Sequence, residues 1–304
     1  MVGFKVASEA KKYMPIILSL VGESSCGKTY SALRLAMGLT NGDPSKIFLI
    51  DSENRGAMYA WKFGDYRIAS VSDWSAEKKR PTHRPDTYIE MIQAAKDAGC
   101  ECLIIDSMSD VWEGRGGVYD WACELRDSKQ AAGKRAGFDI WMQPKTKYAA
   151  LMNFAINCGM SVIMTFRTKE VMELDENNKP KKERKIEIVR EPRSNKYNIM
   201  WELMLDGQTK KLKSVEKCFD GGEWIFRLNE YLTEDVAQKM LQWQATDKEG
   251  LIAAAVRQTE DTKAAWYKNL NDAEKYLITK YAEEIKTRTK LVRGEKKQTT
   301  EDDL

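Results

Sequence analysis

The sequence contains very little histidine. Among its 304 residues there is one, His83, which lies in the proline-bracketed segment 80–85. A histidine that binds a metal or transfers protons usually has cysteine or carboxylate partners in a recognisable pattern, and no such pattern surrounds His83. We therefore interpret His83 as an ordinary loop residue, which argues against histidine-based metal or acid–base chemistry.

Cysteines are few and scattered. They are Cys26, Cys100, Cys102, Cys123, Cys158 and Cys218. Only Cys100 and Cys102 lie close together, and a C-x-C pair without a matching second pair is poor spacing for zinc. The pattern predicts reduced core or surface thiols rather than a disulfide framework or a zinc site.

Long hydrophobic runs are absent as well. No run approaches the roughly 18 apolar residues of a membrane span, and residues 1–5 lack a signal-peptide core. We expect a cytoplasmic protein without a membrane partner. The net charge is only +3, so a strongly basic nucleic-acid coat is excluded, and any contact with DNA would come from local basic patches.

Residues 22–29, GESSCGKT, stand out against these absences. They follow the apolar run 16–21 and precede a helical pattern at 28–39, which is the setting of a phosphate-binding loop. Glycines allow the backbone to wrap around phosphate, Lys28 is expected to reach the β and γ phosphates, and the Thr29 hydroxyl to bind Mg²⁺. The alternative is a chance match in an ordinary strand–loop–helix. The predicted nucleotide-binding residues are Gly22, Glu23, Ser24, Ser25, Cys26, Gly27, Lys28, Thr29 and Tyr30.

Two acidic residues follow later apolar runs. Asp106 ends the run 102–105, as in a Walker B strand whose carboxylate holds Mg²⁺ beside Thr29; the alternative is an Asp that caps the next turn. Glu53 lies just after the run 46–51, where a carboxylate can face the γ-phosphate and activate water as a general base. The sequence therefore predicts an α/β P-loop core with a mostly parallel sheet.

The order of these segments resembles RecA-like ATPases. Residues 50–54 are similar to the strand that carries their catalytic glutamate, and residues 104–107 to their Walker B segment. By this resemblance Arg167, after the apolar run 160–166, occupies the γ-phosphate sensor position, where RecA has a glutamine. Arg167 is then a sensor, a group that stabilises transition-state charge, or simply a solvated strand end.

A closer resemblance is to phage-encoded RecA-like nucleotide-binding proteins linked to recombination and single-strand annealing. The segments that carry it are 27–33, 51–53, 106–117 and 165–169, and the similarity extends over residues 4–230. It implies ATP and Mg²⁺ as cofactors, a ring or filament of identical subunits, a recombination or single-strand-binding partner protein, and the host cytoplasm as location. No guanine-reading Asn-Lys-x-Asp segment is present, which agrees with ATP.

The resemblance also implies two DNA-binding loops, 126–139 and 168–196. Both are basic, although interleaved acids leave open that they are merely solvated charge runs. Tyr148 and Tyr197 are the chief nearby aromatic residues that could stack on bases. The predicted DNA-binding residues are Arg126, Lys129, Lys134, Arg135, Lys181, Lys182, Arg184 and Lys185.

Lys217 lies near the place where related hexameric ATPases carry Lys-x-Arg, whose side chains complete a neighbour's site. Here Phe219 replaces the arginine, so Lys217 is either a trans-acting residue or an ordinary surface lysine.

The chain is expected to divide into a RecA-like core over 1–230, a helical appendage over 231–289 and a disordered tail over 290–304. We predict strands at 66–71, 199–205, 210–216 and 223–228, a hairpin whose returning strand is 184–190, and helices at 87–98, 108–130, 148–157, 233–244, 247–258 and 261–289.

Three functions fit this pattern. The first is a Mg²⁺-dependent ATPase that acts on single-stranded DNA in phage recombination or replication. The second is a nucleotide-gated switch or scaffold that binds a partner protein, through the helical appendage with Trp266 and Tyr267, and does not bind DNA. The third, a ring helicase or packaging motor, lacks any recognisable helicase or nuclease module.

Overall fold

A computed structural model describes residues 4, 6–12, 14–174, 180–190, 199–219 and 221–292; the side chains of residues 8, 9 and 172–185 fall outside the description. The chain forms two compact units. One, the sheet unit, contains residues 15–219 and 226–238, and the other, the helical unit, contains residues 1–14, 220–225 and 239–304.

The sheet unit is built on eight strands. They are β1 (Ile17–Gly22), β2 (Ile47–Asp51), β3 (Arg67–Ser70), β4 (Cys102–Asp106), β5 (Ser161–Leu174), β6 (Pro180–Ile188), β7 (Trp201–Leu205) and β8 (Leu212–Lys217). Their order across the sheet is β3-β2-β4-β5-β1-β7-β8. The pairs from β3 to β7 are parallel, whereas β8 runs antiparallel to β7 and β6 runs antiparallel to the outer part of β5.

The buried parts of the central strands are mainly apolar because both faces of the sheet are covered. Leu18, Ile104 and Ile163, from β1, β4 and β5, are fully buried. The helices of this unit are α2 (Lys28–Leu39), α3 (Ala60–Phe63), α4 (Val71–Glu77), α5 (Pro85–Asp97), α6 (Met108–Glu113), α7 (Val118–Ala131) and α8 (Met142–Asn157). The predicted α/β class with a mostly parallel sheet is confirmed.

The helical unit contains α1 (Ala7–Lys12), α10 (Lys248–Arg257), α11 (Glu260–Lys268), α12 (Asp272–Lys280) and α13 (Ala282–Val292). The preceding helix, α9 (Glu234–Ala245), starts in the sheet unit and passes into the helical unit at Lys239. Ile252, Ala273 and Leu277 are buried within the helical unit. No helix in the described part of the chain is long and apolar enough to cross a membrane.

Several predicted elements differ from the structure. The helix expected over 108–130 is interrupted at 114–117, and the helix expected at 148 begins at Met142. The predicted strand 223–228 is wrong, because Glu223–Ile225 form a 3-10 turn. The helix expected over 261–289 is three helices, α11, α12 and α13. Asn271 caps the start of α12: its side chain accepts from the Glu274 amide, and the Glu274 side chain accepts from the Asn271 amide.

The predicted boundaries between the core, the helical appendage and the tail stay a prediction. Residues 231–238 lie in the sheet unit, and residues 1–14 lie in the helical unit. Of the predicted tail, residues 290–292 continue α13, and residues 293–304 lie outside the described residues.

Candidate active site at the carboxyl edge of the sheet

The phosphate-loop segment joins β1 to α2. Gly27 has a left-handed backbone, with φ of 85°, immediately before the first residue of α2, a conformation that glycine adopts without strain. At Gly22 a Cβ atom would lie 2.6 Å from Cys26 Sγ and 3.0 Å from the Leu205 carbonyl oxygen. Both glycines of the motif are therefore required by the backbone that the loop adopts.

Lys28 is buried inside this loop. Its ammonium group donates to the carbonyl oxygens of Gly22, at 3.0 Å, and of Glu23, at 2.6 Å. Only 7% of the residue is exposed. The loop thus curls around one positive charge at the start of a helix, where backbone N–H groups already favour an anion.

Asp106 ends β4 and lies beside the loop. One carboxylate oxygen accepts from the Thr29 hydroxyl and the other from the Thr165 hydroxyl, each at 2.5 Å. Burial raises the pKa of Asp106, and the two hydroxyl hydrogen bonds oppose this rise. A buried carboxylate next to a hydroxyl at a P-loop is a donor set that fits Mg²⁺.

No cluster of three or more His, Cys, Asp or Glu side chains suited to a metal occurs among the described residues. A Mg²⁺ ion at Thr29 and Asp106 would therefore take most of its ligands from phosphate and water, as Mg²⁺ does in nucleotide sites.

Glu53 follows β2 on the same edge of the sheet, because β2 and β4 are parallel with Asp51 opposite Asp106. Asp51 stabilises the loop of residues 52–56 that carries Glu53. Its carboxylate accepts from the backbone N–H of Glu53 at 2.9 Å and of Gly56 at 2.7 Å. Burial, followed by the charge of Asp106, raises the pKa of the Glu53 carboxyl, and Arg167 opposes this rise. A carboxylate whose pKa is raised in this way is suited to accept a proton.

Arg167 lies on β5, not at a strand end. Its guanidinium is 3.5 Å from the Glu53 carboxylate and forms a second ion pair with Asp110. Its backbone N–H donates to the Ser109 hydroxyl at 2.8 Å. Of the three roles that the sequence left open for Arg167, the solvated strand end is wrong, because about three quarters of its side chain is buried between two carboxylates.

A family model described as an AAA domain matches residues 14–243, most of the chain and all of the residues above. This chain belongs to the AAA domain family. No curated protein matches the sequence. The AAA domain is an ATPase-type P-loop domain, and in this chain Lys28, Asp106 and Glu53 lie at one edge of its sheet.

Sequence reasoning missed a second group of residues in this AAA domain. The Ser52 hydroxyl donates to Asp110 at 2.5 Å, and the His83 ring nitrogen Nδ1 lies 2.9 Å from the hydroxyl of the buried Tyr88. The interpretation of His83 as an ordinary loop residue is therefore incomplete. The signal that could have led to it is the run Asp51-Ser52-Glu53, in which two polar residues besides the predicted base follow a buried strand.

The predicted trans-acting residue, Lys217, is the last residue of β8, which is an edge strand of the sheet. Its ammonium group lies 5.8 Å from the centre of the Phe219 ring. A role in a neighbouring subunit's site stays a prediction.

In the first predicted DNA-binding loop, two of the four predicted basic residues form ion pairs with aspartates. Arg126 pairs with Asp127 at 3.0 Å and Lys129 pairs with Asp139, whereas Lys134 and Arg135 are exposed. In the second, the hairpin of β5 and β6 is confirmed, with the returning strand beginning at Pro180. Lys181, Lys182, Arg184 and Lys185 lie on β6, and their side chains lie outside the described residues.

The expected stacking residue Tyr148 is fully buried and packs edge-on against Trp112, so it cannot stack on a base. Tyr197 lies outside the described residues. Other aromatic residues take this place beside the first loop: Phe138 is 94% exposed, and Trp141 stacks on Trp112 with 6.4 Å between ring centres.

We call this surface the aromatic shelf. It consists of Trp112, Phe138, Trp141, Met142, Lys145 and Thr146, which line an open depression of about 630 Å³. The ammonium of Lys145 lies 5.8 Å from the centre of the Trp141 ring. The 3-10 turn Phe138–Trp141 contributes Phe138 and Trp141 to this surface, and a turn of this kind leaves no periodic hydrophobic pattern in the sequence by which to find it.

Proposed function

We propose that this AAA domain protein is a Mg²⁺-dependent ATPase that acts on single-stranded DNA in phage recombination or replication. The observation that carries the ATPase assignment is the position of Glu53. Its carboxylate lies on the same sheet edge as the Thr29–Asp106 pair, and the charges of Asp106 and Lys28 shift its pKa in opposite directions.

In the proposed reaction the loop amides and Lys28 bind the phosphates of ATP, and Thr29 and Asp106 hold Mg²⁺, which neutralises phosphate charge when bound. Glu53 accepts the proton of the water that attacks the γ-phosphorus. ADP then leaves with the bridging oxygen, and phosphate carries the new oxygen. Arg167 orients the Glu53 carboxylate. Its charge also lowers the pKa of Glu53, which favours the ionised carboxylate that can accept the proton.

The test of this assignment is steady-state ATP hydrolysis by the full chain. Glu53→Gln should bind ATP like the parent and lose roughly 100-fold or more in turnover, because the amide cannot accept the proton. Lys28→Ala should lose nucleotide binding itself. Parent-like turnover by Glu53→Gln would refute the role of Glu53 as base.

Single-stranded DNA as the partner is supported by the aromatic shelf and the charge around it. Residues 126–147 contain six basic side chains and two acidic ones: Arg126, Lys129, Lys134, Arg135, Lys145 and Lys147 against Asp127 and Asp139. Single-strand-binding surfaces combine positive charge, which contacts phosphates, with exposed aromatic rings, on which bases stack. The proposed contact is thus a shelf edged by cations.

Fluorescence anisotropy with a labelled oligo-dT strand at graded salt tests this partner. Binding should weaken as salt rises, because displaced counterions drive phosphate contacts. Turnover of ATP should increase when the strand is added, and this stimulation should vanish in Lys28→Ala. A parent protein that binds no strand at low salt would overturn the DNA assignment and leave the ATPase assignment untouched.

The second candidate is a nucleotide-gated switch that docks a partner protein. It is favoured by a groove of about 550 Å³ within the helical unit, lined by residues that include Trp266, Tyr267, Ile278 and Ile285. Turnover indifferent to DNA, with a partner protein that binds in ATP but not in ADP, would favour this candidate. We also propose that the protein works as a ring or filament, which sedimentation with and without ATP would reveal.

A further inference from the structure

Helix α6 contacts both the aromatic shelf and the carboxyl edge of the sheet. It has six residues, Met108–Glu113, and begins directly after Ser107, which follows the last residue of β4. At a rise of 1.5 Å per residue the helix is about 9 Å long, which leaves no room for an internal hinge. A displacement of one of its side chains is therefore shared by the others.

Asp110 is the contact of α6 with the candidate site. This residue is buried, and its carboxylate forms the ion pair with Arg167, whose guanidinium lies 3.5 Å from Glu53. The Ser52 hydroxyl donates to the same carboxylate at 2.5 Å, and Ser52 directly precedes Glu53 in the sequence. Hydrogen bonds to an ionised acceptor are strong, so the position of Asp110 sets the position of Arg167 beside Glu53.

Trp112 is the contact of α6 with the aromatic shelf. Its ring stacks on that of Trp141, with 6.4 Å between ring centres, and meets the Tyr148 ring edge-on at 5.5 Å. Trp112 and Trp141 both line the depression of the shelf. A ligand that fills this depression is therefore in contact with a side chain of α6.

Two further residues of α6 contact the hairpin of β5 and β6, which lies in the second predicted DNA-binding loop. The Ser109 hydroxyl donates to the Val189 carbonyl oxygen at 2.9 Å, and Glu113 forms an ion pair with Lys169 at 3.5 Å. Lys169 and Val189 both lie at the base of this hairpin. The helix thus touches both predicted DNA-binding regions as well as the site.

The glycine-rich turn 114–117 packs closely on the end of α6. The Gly114 amide donates to the Asp110 carbonyl oxygen, and the Gly117 amide donates to the Gly114 carbonyl oxygen, each at 2.8 Å. A Cβ atom on Gly117 would lie 2.7 Å from the Val111 carbonyl oxygen. This close packing supports α6 as one body, and it gives the glycines of the segment 106–117 a structural reason.

We propose that α6 couples single-stranded DNA on the aromatic shelf to the proposed base, with Trp112 in contact with the strand and Asp110 as the residue that positions Arg167 beside Glu53. This inference rests on the proposed function. A base stacked on the shelf favours the arrangement of α6 in which Asp110 holds Arg167 beside Glu53 over arrangements in which the helix is displaced. Bound DNA therefore raises kcat for ATP.

The coupling is tested by ATP turnover of the full chain without DNA and with saturating oligo-dT. The ratio of the two kcat values should fall to about one in Trp112→Leu, because the ring that stacks on Trp141 is lost. Trp141→Leu breaks the same stack from outside α6 and should have the same effect. Phe138→Ala is the matched control, since Phe138 belongs to the shelf but not to α6. It should require more strand for saturation and keep the ratio of the parent.

Asp110→Asn tests the other end of the coupling. This change should lower kcat roughly tenfold with KM for ATP unchanged, because the base is misplaced and the phosphate loop is not. The charges of Asp106 and Asp110 raise the pKa of Glu53, and those of Arg167 and Lys28 lower it. Without the Asp110 charge the acid limb of the pH–rate profile should therefore move to lower pH. Asp110→Glu, which keeps the charge, should recover part of the rate.

The outcomes distinguish failure of the coupling from failure of the proposed function. A parent that binds the strand and hydrolyses ATP, with undiminished stimulation in Trp112→Leu and Trp141→Leu, would overturn the coupling and leave the proposed function standing. A parent that binds no strand or hydrolyses no ATP would overturn both. Parent-like kcat with an unmoved acid limb in Asp110→Asn would refute the positioning role. Thermal unfolding of each variant identifies any that fails to fold.

Discussion

Arg167 and Glu53 form an ion pair of 3.5 Å at the carboxyl edge of the sheet, and the same guanidinium pairs with Asp110. Glu53 follows β2 and Arg167 belongs to β5, so the pair spans two strands separated by β4. Arg167 is therefore placed to control the ionisation and the direction of the proposed base.

Replacing Arg167 should move the acid limb of the pH–rate profile to higher pH. Burial and Asp106 raise the pKa of Glu53, and Arg167 is the largest opposing influence. In Arg167→Gln the Glu53 carboxylate becomes harder to ionise, and the rate falls at a higher pH than in the parent. The profile of kcat/KM against pH measures this limb. The acid limb of Arg167→Lys, which keeps the charge, should lie between those of the parent and Arg167→Gln. An unmoved limb in Arg167→Gln would contradict the influence of Arg167 on the pKa of Glu53.

Asp106→Asn should stabilise the fold at neutral pH while abolishing Mg²⁺-dependent turnover. Burial raises the pKa of this carboxyl in the folded state, so its contribution to stability is most favourable below the unfolded pKa and is lost as pH rises through the folded pKa. The amide removes a buried charge and should add about 1 kcal/mol to the free energy of unfolding at pH 7.

Urea denaturation of parent and Asp106→Asn at pH 7 and at low pH measures this difference. The advantage of the variant should shrink as pH falls and the parent carboxyl becomes protonated. A variant less stable than the parent at pH 7 would show that the hydrogen bonds from Thr29 and Thr165 outweigh the cost of burying the charge.

Gly114→Ala should destabilise the protein by about 1–3 kcal/mol, because the added methyl group would lie 2.5 Å from the Asp110 carbonyl oxygen and 2.7 Å from His83 Cδ2. Gly137→Ala is the matched control, since its Cβ would come no closer than 3.4 Å to any neighbour. Chemical denaturation of the two variants gives the comparison. Equal stability would mean that segment 81–83 moves away without cost.

Phe138→Ala should weaken binding of oligo-dT roughly tenfold, since a base loses its stacking surface. Trp61→Ala is the control, because Trp61 is a similarly exposed aromatic residue, 82% accessible, that does not line the shelf. Anisotropy titrations at one salt concentration measure both.

Two results would count against this role of the shelf. Equal losses in Phe138→Ala and Trp61→Ala would indicate general surface hydrophobicity rather than stacking. A loss of self-association in Phe138→Ala with unchanged DNA binding would identify the shelf as a subunit contact.

Local sequence patterns were sufficient to predict those elements and site residues that depend on neighbours in the chain. The helix predicted over 28–39 is α2, Lys28–Leu39, and the acidic ends of two apolar runs are adjacent in the sheet because parallel strands place their carboxyl ends on one edge. Turns were less predictable: the 3-10 turn at 223–225 and the breaks within 261–289 depend on single caps that periodicity does not show.

The sequence by itself thus determined the phosphate loop, the strand–helix alternation and the identity of Lys28, Thr29, Glu53 and Asp106, because each follows from residues a few positions apart. Only the tertiary structure decided which groups surround Glu53. Asp106, Asp110 and Arg167 are far from Glu53 in the chain, and the parallel pairing of β2 with β4 and of β4 with β5 brings the strands that carry or precede them together. The packing of the chain likewise decided which aromatic side chains are exposed. Tyr148 on α8 is fully buried, whereas Phe138 in the preceding 3-10 turn is 94% exposed, and the sequence does not distinguish the two.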